Sequence, residues 1–126
     1  MGYEKNVQQY KEQMINTMTQ GELLLLLYDE LVKRLTQAEL ALDKENFPIF
    51  EASIQRSIEI VEYLDDTLDH QYDISHDLAR LYEYFTYELR RVQIGRHKEP
   101  LTSVKGQVEE LRDAFRTAQK SGESQK

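Results

Sequence analysis

Four stretches of the chain, between residues 20 and 118, carry apolar residues that recur every three or four positions. In an α-helix this spacing places the apolar side chains on one face, which has to be buried. The first stretch shows it most clearly, with Leu24, Leu27, Leu31, Leu35, Ala38 and Leu42. Helices joined by short polar turns bury such faces by packing side by side, so the pattern predicts an all-α fold, an antiparallel up-and-down four-helix bundle.

Capping residues indicate where the first two helices begin. Thr19 stands three residues before Glu22, which is the spacing of a capping box, and this predicts a helix start near Gln20. Asn46 is a favoured N-cap residue, and Pro48 suits the first turn of the second helix because that turn needs no proline N–H.

The later helix boundaries are indicated by turn residues. A polar turn after about Asp69 separates the second helix from the third, which we expect to begin near Ser75. Gly95 is predicted to end the third helix, with the basic residues 96–98 beside its carbonyl end. Pro100 is predicted to open the fourth helix.

The two ends of the chain lack the pattern of the bundle. Residues 1–18 are mostly polar, and Tyr10, Met14 and Ile15 are among their few apolar side chains. A helix with so narrow an apolar stripe is marginal on its own. We therefore predict an N-terminal arm or helical cap at 1–18, the bundle at 19–120 and a disordered tail at 121–126.

Composition and charge argue against several classes of partner. The 126 residues suffice for one domain, and 16 basic against 23 acidic side chains give a net charge of −7. Without a Lys/Arg-rich run, nucleic acid is not expected as a partner. No apolar segment resembles a signal peptide, and the leucine run at 23–27 is too short to cross a membrane. We expect a cytoplasmic protein with no membrane insertion, and the absence of Cys agrees with a reducing compartment.

Groups for catalysis are scarce. His70, His76 and His97 are the only histidines, and paired Glu-x-x-His motifs of a di-iron bundle are missing. There is no Gly-rich phosphate loop and no Cys nucleophile, so we predict neither an enzyme nor a cofactor or metal site. Two alternatives stay open. The string SHDLARL around His76 is similar to the phosphoacceptor box of sensor histidine kinases, and a bundle can also serve only for structure or dimerisation.

Three blocks of sequence resemble one known family. The segment YKEQMINTMTQGELLLLLYDELVKRL, which begins at Tyr10, resembles the N-terminal signature of the flagellar secretion chaperones that bind flagellin, the FliS family. LYEYFTYEL at 81–89 and LRDAF at 111–115 are similar to the motifs of its third and last helices. The chain departs from the family pattern at Gln20, where Pro is common, and at Val92 and Gln93, where Ala-Asn is common.

The resemblance implies a function and a set of binding residues. Members of the family hold the disordered C-terminal segment of flagellin in the cytoplasm, prevent its premature polymerisation and deliver it to the flagellar export apparatus. Such a chaperone has to offer apolar surface beyond its own core. We predict that this surface comprises Tyr10, Met14, Ile15, Leu23, Leu26, Tyr28, Tyr82, Tyr84 and Tyr87, with the N-terminal arm lying over part of it. Contacts with the export apparatus or other flagellar regulators, and a homodimer, are left open.

Overall fold

The computed structural model describes residues 20–124, and side chains as far as residue 121. Helix α1 spans Gln20–Asp43, α2 spans Phe47–Asp66, α3 spans Ile74–Gly95 and α4 spans Lys98–Ser124. Residues 44–46, 67–73 and 96–97 connect them. The described residues contain no strand. This architecture confirms the all-α fold that the apolar spacing predicts.

The helices are arranged in a square. Each of them packs mainly on two others, α1 on α2, α2 on α3, α3 on α4 and α4 on α1, so α1 and α3 lie on a diagonal. Ion pairs show that α1 and α4 run in opposite directions. Lys98, at the start of α4, is 2.7 Å from Asp43 at the end of α1, whereas Arg116 lies 3.2 Å from Asp29 near the start of α1.

The second helix begins as predicted and ends earlier. The side chain of Asn46 accepts a hydrogen bond from the N–H of Ile49 at 3.4 Å, which confirms the N-cap. The helix stops at Asp66, before the predicted Asp69. Leu68 nevertheless packs against the core. The apolar spacing therefore extends past the last helical residue, and this explains the longer prediction.

The third helix ends at Gly95, but the left-handed residue is Arg96, with φ 56°. Its guanidinium carbon lies 3.8 Å from the centre of the Phe47 ring, and its Nη2 is 3.3 Å from the Glu51 carboxylate. These contacts offset the cost of about 1–2 kcal/mol that the left-handed conformation carries for a non-glycine residue. The prediction that Gly95 ends the third helix is confirmed. A Cβ on Gly95 would lie 2.6 Å from the His97 ring, so the glycine leaves room for that ring.

The last helix is longer than predicted at both ends. It begins at Lys98, ahead of Pro100, and it continues to Ser124. The predicted boundary between bundle and tail, at residue 120, thus falls inside a helix. Once a helix is formed, each added residue gains a hydrogen bond without a new nucleation cost, which accounts for the extension.

The core confirms most of the predicted apolar faces. Its fully buried members include Leu31, Leu35, Phe50, Ile54, Ile58, Val61, Leu64, Phe85, Leu89, Val92, Leu101, Val104 and Val108. Within the described residues, no helix is both long and apolar enough to cross a membrane. The capping box at Thr19 and the arm at 1–18 lie outside the described residues.

Candidate functional site

Two of the predicted binding residues belong to the core. Tyr28 is 0% exposed and Tyr82 is 2% exposed, and their hydroxyls are hydrogen-bonded to each other. In this conformation both rings pack in the core, because each phenol satisfies the other and this removes the penalty for burying a lone hydroxyl. Their role in binding a partner stays a prediction.

The other predicted residues do not form one surface. Leu26 is 42% exposed beside the half-buried Leu23, and both line a groove between α1 and α2. Tyr84 and Tyr87, 41% and 60% exposed, lie on α3 and line two other grooves. The guanidinium of Arg91 lies 5.8 Å from the Tyr87 ring centre. Tyr10, Met14 and Ile15 lie outside the described residues.

The most apolar concavity lies at the end of the bundle where α1 begins. We call it the end cavity, and its volume is about 350 Å³. All four helices contribute to its walls, mainly through Leu24, Leu64, Leu68, Leu78 and Phe115. Tyr72 and Ile74, which also line it, are 64% and 58% exposed. Large apolar side chains that remain this accessible indicate a surface suited to an apolar partner.

One of the two buried tyrosines lines this cavity, and the other packs behind it. Tyr82 and Phe115 line it, and the Tyr28 ring stacks on Phe115 with 5.3 Å between ring centres. Burial raises the pKa of both phenols above the ordinary value of 10.0, and for Tyr28 the neighbouring Tyr82 raises it further. Both phenols therefore stay neutral at physiological pH. Their polar atoms bond to each other, so the rings serve as hydrophobic surface.

One polar atom in the end cavity lacks a partner. Ser75 is 1% exposed, and its Oγ has no hydrogen-bond partner among the described residues. A buried hydroxyl without a partner costs about 1–3 kcal/mol in stability. Gln20, the first residue of α1, also lines the cavity.

Several exposed apolar residues were not predicted from the sequence. Leu40, Ile49 and Tyr63 are 55%, 53% and 48% exposed on α1 and α2. The signal that could have identified them is their position, because each is large and apolar yet falls outside the periodic core face of its helix. Tyr72 was missed because it lies in the polar turn before α3, and Ile74 because it is the first residue of that helix.

Within residues 20–124 no group of three or more His, Asp or Glu side chains could hold a metal ion. His76, the residue of the phosphotransfer alternative, is exposed in the first turn of α3.

Comparisons with known proteins agree with the resemblance in the sequence. The family described as "Flagellar protein FliS" matches residues 3–122 of this chain. The flagellar secretion chaperone FliS of Bacillus subtilis (strain 168) is 28% identical over 109 residues, which are 86% of this chain and 82% of that protein. A solved structure described as a flagellar chaperone from bacteria superposes with a TM-score of 0.77 at 17% identity. The superposed region covers 92% of this chain and 98% of the chain in that structure. At 17% identity the structural match supports the fold alone.

Proposed function

This chain belongs to the FliS family of flagellar secretion chaperones, and from that membership we propose that it is a cytoplasmic export chaperone for flagellin. It binds the disordered C-terminal segment of flagellin, prevents premature polymerisation and delivers the subunit to the flagellar export apparatus. Release needs no nucleotide, because the client is handed over to the export machinery. The chain therefore acts by binding and not by catalysis.

The end cavity is the observation that carries this proposal. A disordered client folds on its chaperone by placing apolar side chains in such concavities while its backbone finds new hydrogen-bond partners. The leucines and Phe115 supply the apolar contacts. Tyr72 and Ile74 extend the apolar surface outward from the cavity.

The N-terminal segment regulates access to the cavity in this proposal. Because the chain enters the bundle at Gln20, beside the cavity, Tyr10, Met14 and Ile15 are within reach of it. Each buried large apolar side chain contributes about 1.5–3 kcal/mol, so a few of them cover the cavity yet yield to a longer client.

Calorimetric titration tests the proposal. The full chain is titrated with a peptide of about 40 residues from the C-terminus of the same organism's flagellin, and circular dichroism follows the peptide. We expect saturable binding, a gain of helix and a negative heat-capacity change, because folding of the client buries apolar area. Absence of binding at micromolar concentrations, both with and without residues 1–17, would refute the proposal.

A matched pair of variants assigns the site. Ile74→Ser changes a cavity residue, whereas Ile94→Ser changes a residue that is 86% exposed near the other end of the same helix. We expect Ile74→Ser to weaken client binding about tenfold and Ile94→Ser to leave it unchanged. Equal effects of the two would remove the end cavity from the proposal.

A truncation isolates the role of the N-terminal segment. Deleting residues 1–17 should tighten client binding and increase the binding of an apolar dye if the segment covers the end cavity. If neither quantity changes, the segment does not regulate the site. Tyr10→Ala shows whether Tyr10 only competes with the client, in which case binding tightens, or also contacts it, in which case binding weakens.

A further inference from the structure

The last helix is held to the bundle unevenly along its length. We call residues 98–108 of α4 the proximal half and residues 109–124 the distal half. Among the described side chains of α4, the fully buried ones are Leu101, Val104 and Val108, and all three lie in the proximal half. In the distal half, Leu111 and Phe115 pack against the core but are only half-buried. The distal half therefore has much less apolar contact with the rest of the bundle.

The ion pairs of the two halves differ in the same direction. In the proximal half, Lys105 Nζ lies 2.8 Å from the carboxylate of Glu39, and both side chains are largely shielded from solvent. In the distal half, the guanidinium groups of Arg112 and Arg116 lie 3.8 and 3.2 Å from one carboxylate, that of Asp29, which is 49% exposed. Ion pairs between exposed side chains contribute little to stability, and salt weakens them further.

A glycine stands close to the boundary between the halves. A Cβ at Gly106 would meet nothing within 4 Å, so no close approach of a neighbour requires a glycine there. Glycine is a poor helix former, and this position is therefore a weak point of α4. A helix of about 15 residues is marginal on its own in water. Once detached from the bundle, the distal half is consequently expected to unwind.

Detachment of the distal half would alter the end cavity. Phe115 lines this cavity, and its ring stacks on Tyr28 with 5.3 Å between the ring centres. When Phe115 moves away, one wall of the cavity is removed and the ring of Tyr28 is uncovered. The Tyr28 hydroxyl keeps its bond to Tyr82, which lies on α3. Opening therefore leaves neither hydroxyl of this pair without a partner.

We propose that the distal half of α4 is a movable wall of the end cavity, which detaches and unwinds as one unit while the rest of the bundle stays folded. Proteins open locally in such units, and the least tightly packed unit opens most often. The wider cavity admits bulkier parts of the client than the closed one. This last step rests on the proposed chaperone function, whereas the opening itself does not.

Hydrogen exchange of the full chain without client, followed by NMR, tests the opening. We expect the amides of residues 112–120 to exchange at least about a hundredfold faster than those of residues 103–108. Their rates should be similar along the segment and should not change in dilute urea, because the opening exposes little surface. Equal protection of the two halves would overturn the proposal. A steady increase toward residue 124 would also overturn it, because this is ordinary fraying of a helix end.

A matched pair of variants tests how the wall is fastened. Asp29→Asn removes the carboxylate that both arginines contact, whereas Asp113→Asn removes an exposed carboxylate that contacts Arg112 on its own helix. We expect Asp29→Asn to speed exchange of the distal half about two- to fivefold and to leave residues 103–108 unchanged. Asp113→Asn should have little effect. Equal effects of the two variants would overturn the role of Asp29 in closing the wall.

A cross-link tests the consequence for the client. The Gln119 side chain lies against Gly21 at the start of α1, and the chain has no Cys of its own. The double variant Gly21→Cys/Gln119→Cys can therefore be joined by a short bismaleimide, and the same variant capped with a monofunctional maleimide is the control. We expect the linked chain to lose the fast exchange of the distal half and to bind the 40-residue flagellin peptide at least about tenfold more weakly than the control.

The outcomes separate this inference from the chaperone proposal. If the wild-type chain does not bind the peptide, the chaperone proposal fails, and hydrogen exchange still decides whether the wall opens. If the capped control and the linked chain bind the peptide equally well, the wall does not control access and that part of the inference is overturned.

Discussion

The hydroxyl of Tyr28 on α1 and the hydroxyl of Tyr82 on α3 bond to each other inside the bundle, across the diagonal between helices that are not neighbours. Both residues are essentially without solvent contact. A polar bond at this place links two helices whose other contacts run through α2 and α4. This hydrogen bond therefore fixes how α1 and α3 are rotated about their own axes, in addition to how they pack.

Removing both members of this pair should cost less than the sum of removing each one alone. Tyr28→Phe leaves the Tyr82 hydroxyl buried without a partner, so we expect a loss of about 1–3 kcal/mol in the free energy of unfolding. The double variant Tyr28→Phe/Tyr82→Phe should lose clearly less than the sum of the two single changes. Urea denaturation measures all three, with Tyr84→Phe as an exposed control on α3. Strictly additive losses would contradict a direct bond between the hydroxyls.

The same pair predicts how stability responds to alkali. Burial raises the pKa of Tyr28 and Tyr82 in the folded state above the 10.0 of an ordinary tyrosine. The unfolded chain releases these protons first, so their contribution to stability is complete below about pH 10 and declines as the pH rises. We expect phenolate absorbance from this pair to develop only together with unfolding. In the double Phe variant this late absorbance should be absent, and its persistence would assign it to other tyrosines.

Glu39 should contribute to stability in the acidic range. Burial raises the pKa of Glu39, but hydrogen bonds from Lys105 and Thr102 and the charges of Lys105 and Lys98 outweigh that effect, so the pKa is lowered from 4.5. The stabilisation is present above pH 4.5 and is lost as the pH falls through the lower folded pKa.

We therefore expect Glu39→Gln to cost about 1 kcal/mol at neutral pH, with the difference from the wild type shrinking as the pH falls below 4.5. Thermal unfolding across pH measures it, and Glu110→Gln at an exposed position of α4 is the control. A difference that does not depend on pH would show that Glu39 acts through packing and not through its charge.

Gly106 offers a stabilising substitution. It lies inside α4, and a Cβ there would meet nothing within 4 Å. Gly106→Ala should therefore raise the free energy of unfolding by about 0.5–1 kcal/mol, because alanine loses less backbone entropy in a helix. Gly95→Ala is the comparison, since its Cβ has to displace the His97 ring and should gain less. If both substitutions raise the free energy of unfolding equally, the contact with His97 does not affect stability.

A feature of this molecule could be predicted from the sequence when the residues that determine it lie close together along the chain. The helices follow from local spacing, and the Asn46 cap follows from residues three apart, so both were predictable. The bond between Tyr28 and Tyr82 joins residues 54 positions apart. A pattern that treats tyrosine as half polar places such residues on the surface, because the hydroxyl that satisfies each of them lies on another helix.

The candidate site shows the same limit. Leu26 was predicted because it widens a leucine-rich face, whereas Leu40 and Ile49 become a common patch only when α1 and α2 are side by side. The left-handed Arg96 depends on Phe47 and Glu51, which are distant in sequence. The patch of Leu40 and Ile49 has no local sequence signature that distinguishes it from ordinary surface residues. The left-handed Arg96 has none that distinguishes it from a helix end formed by a glycine.

The short connections between the helices affect the timing of folding. Three of the four packed helix pairs are consecutive along the chain, and only the pairing of α4 with α1 joins its two ends. Helical bundles of such low contact order fold within about microseconds to milliseconds, whereas a ribosome adds roughly 5–20 residues each second. We therefore expect the bundle to close almost as soon as α4 leaves the ribosome. A newly made copy therefore has its four helices packed and its end cavity formed almost as soon as its synthesis ends.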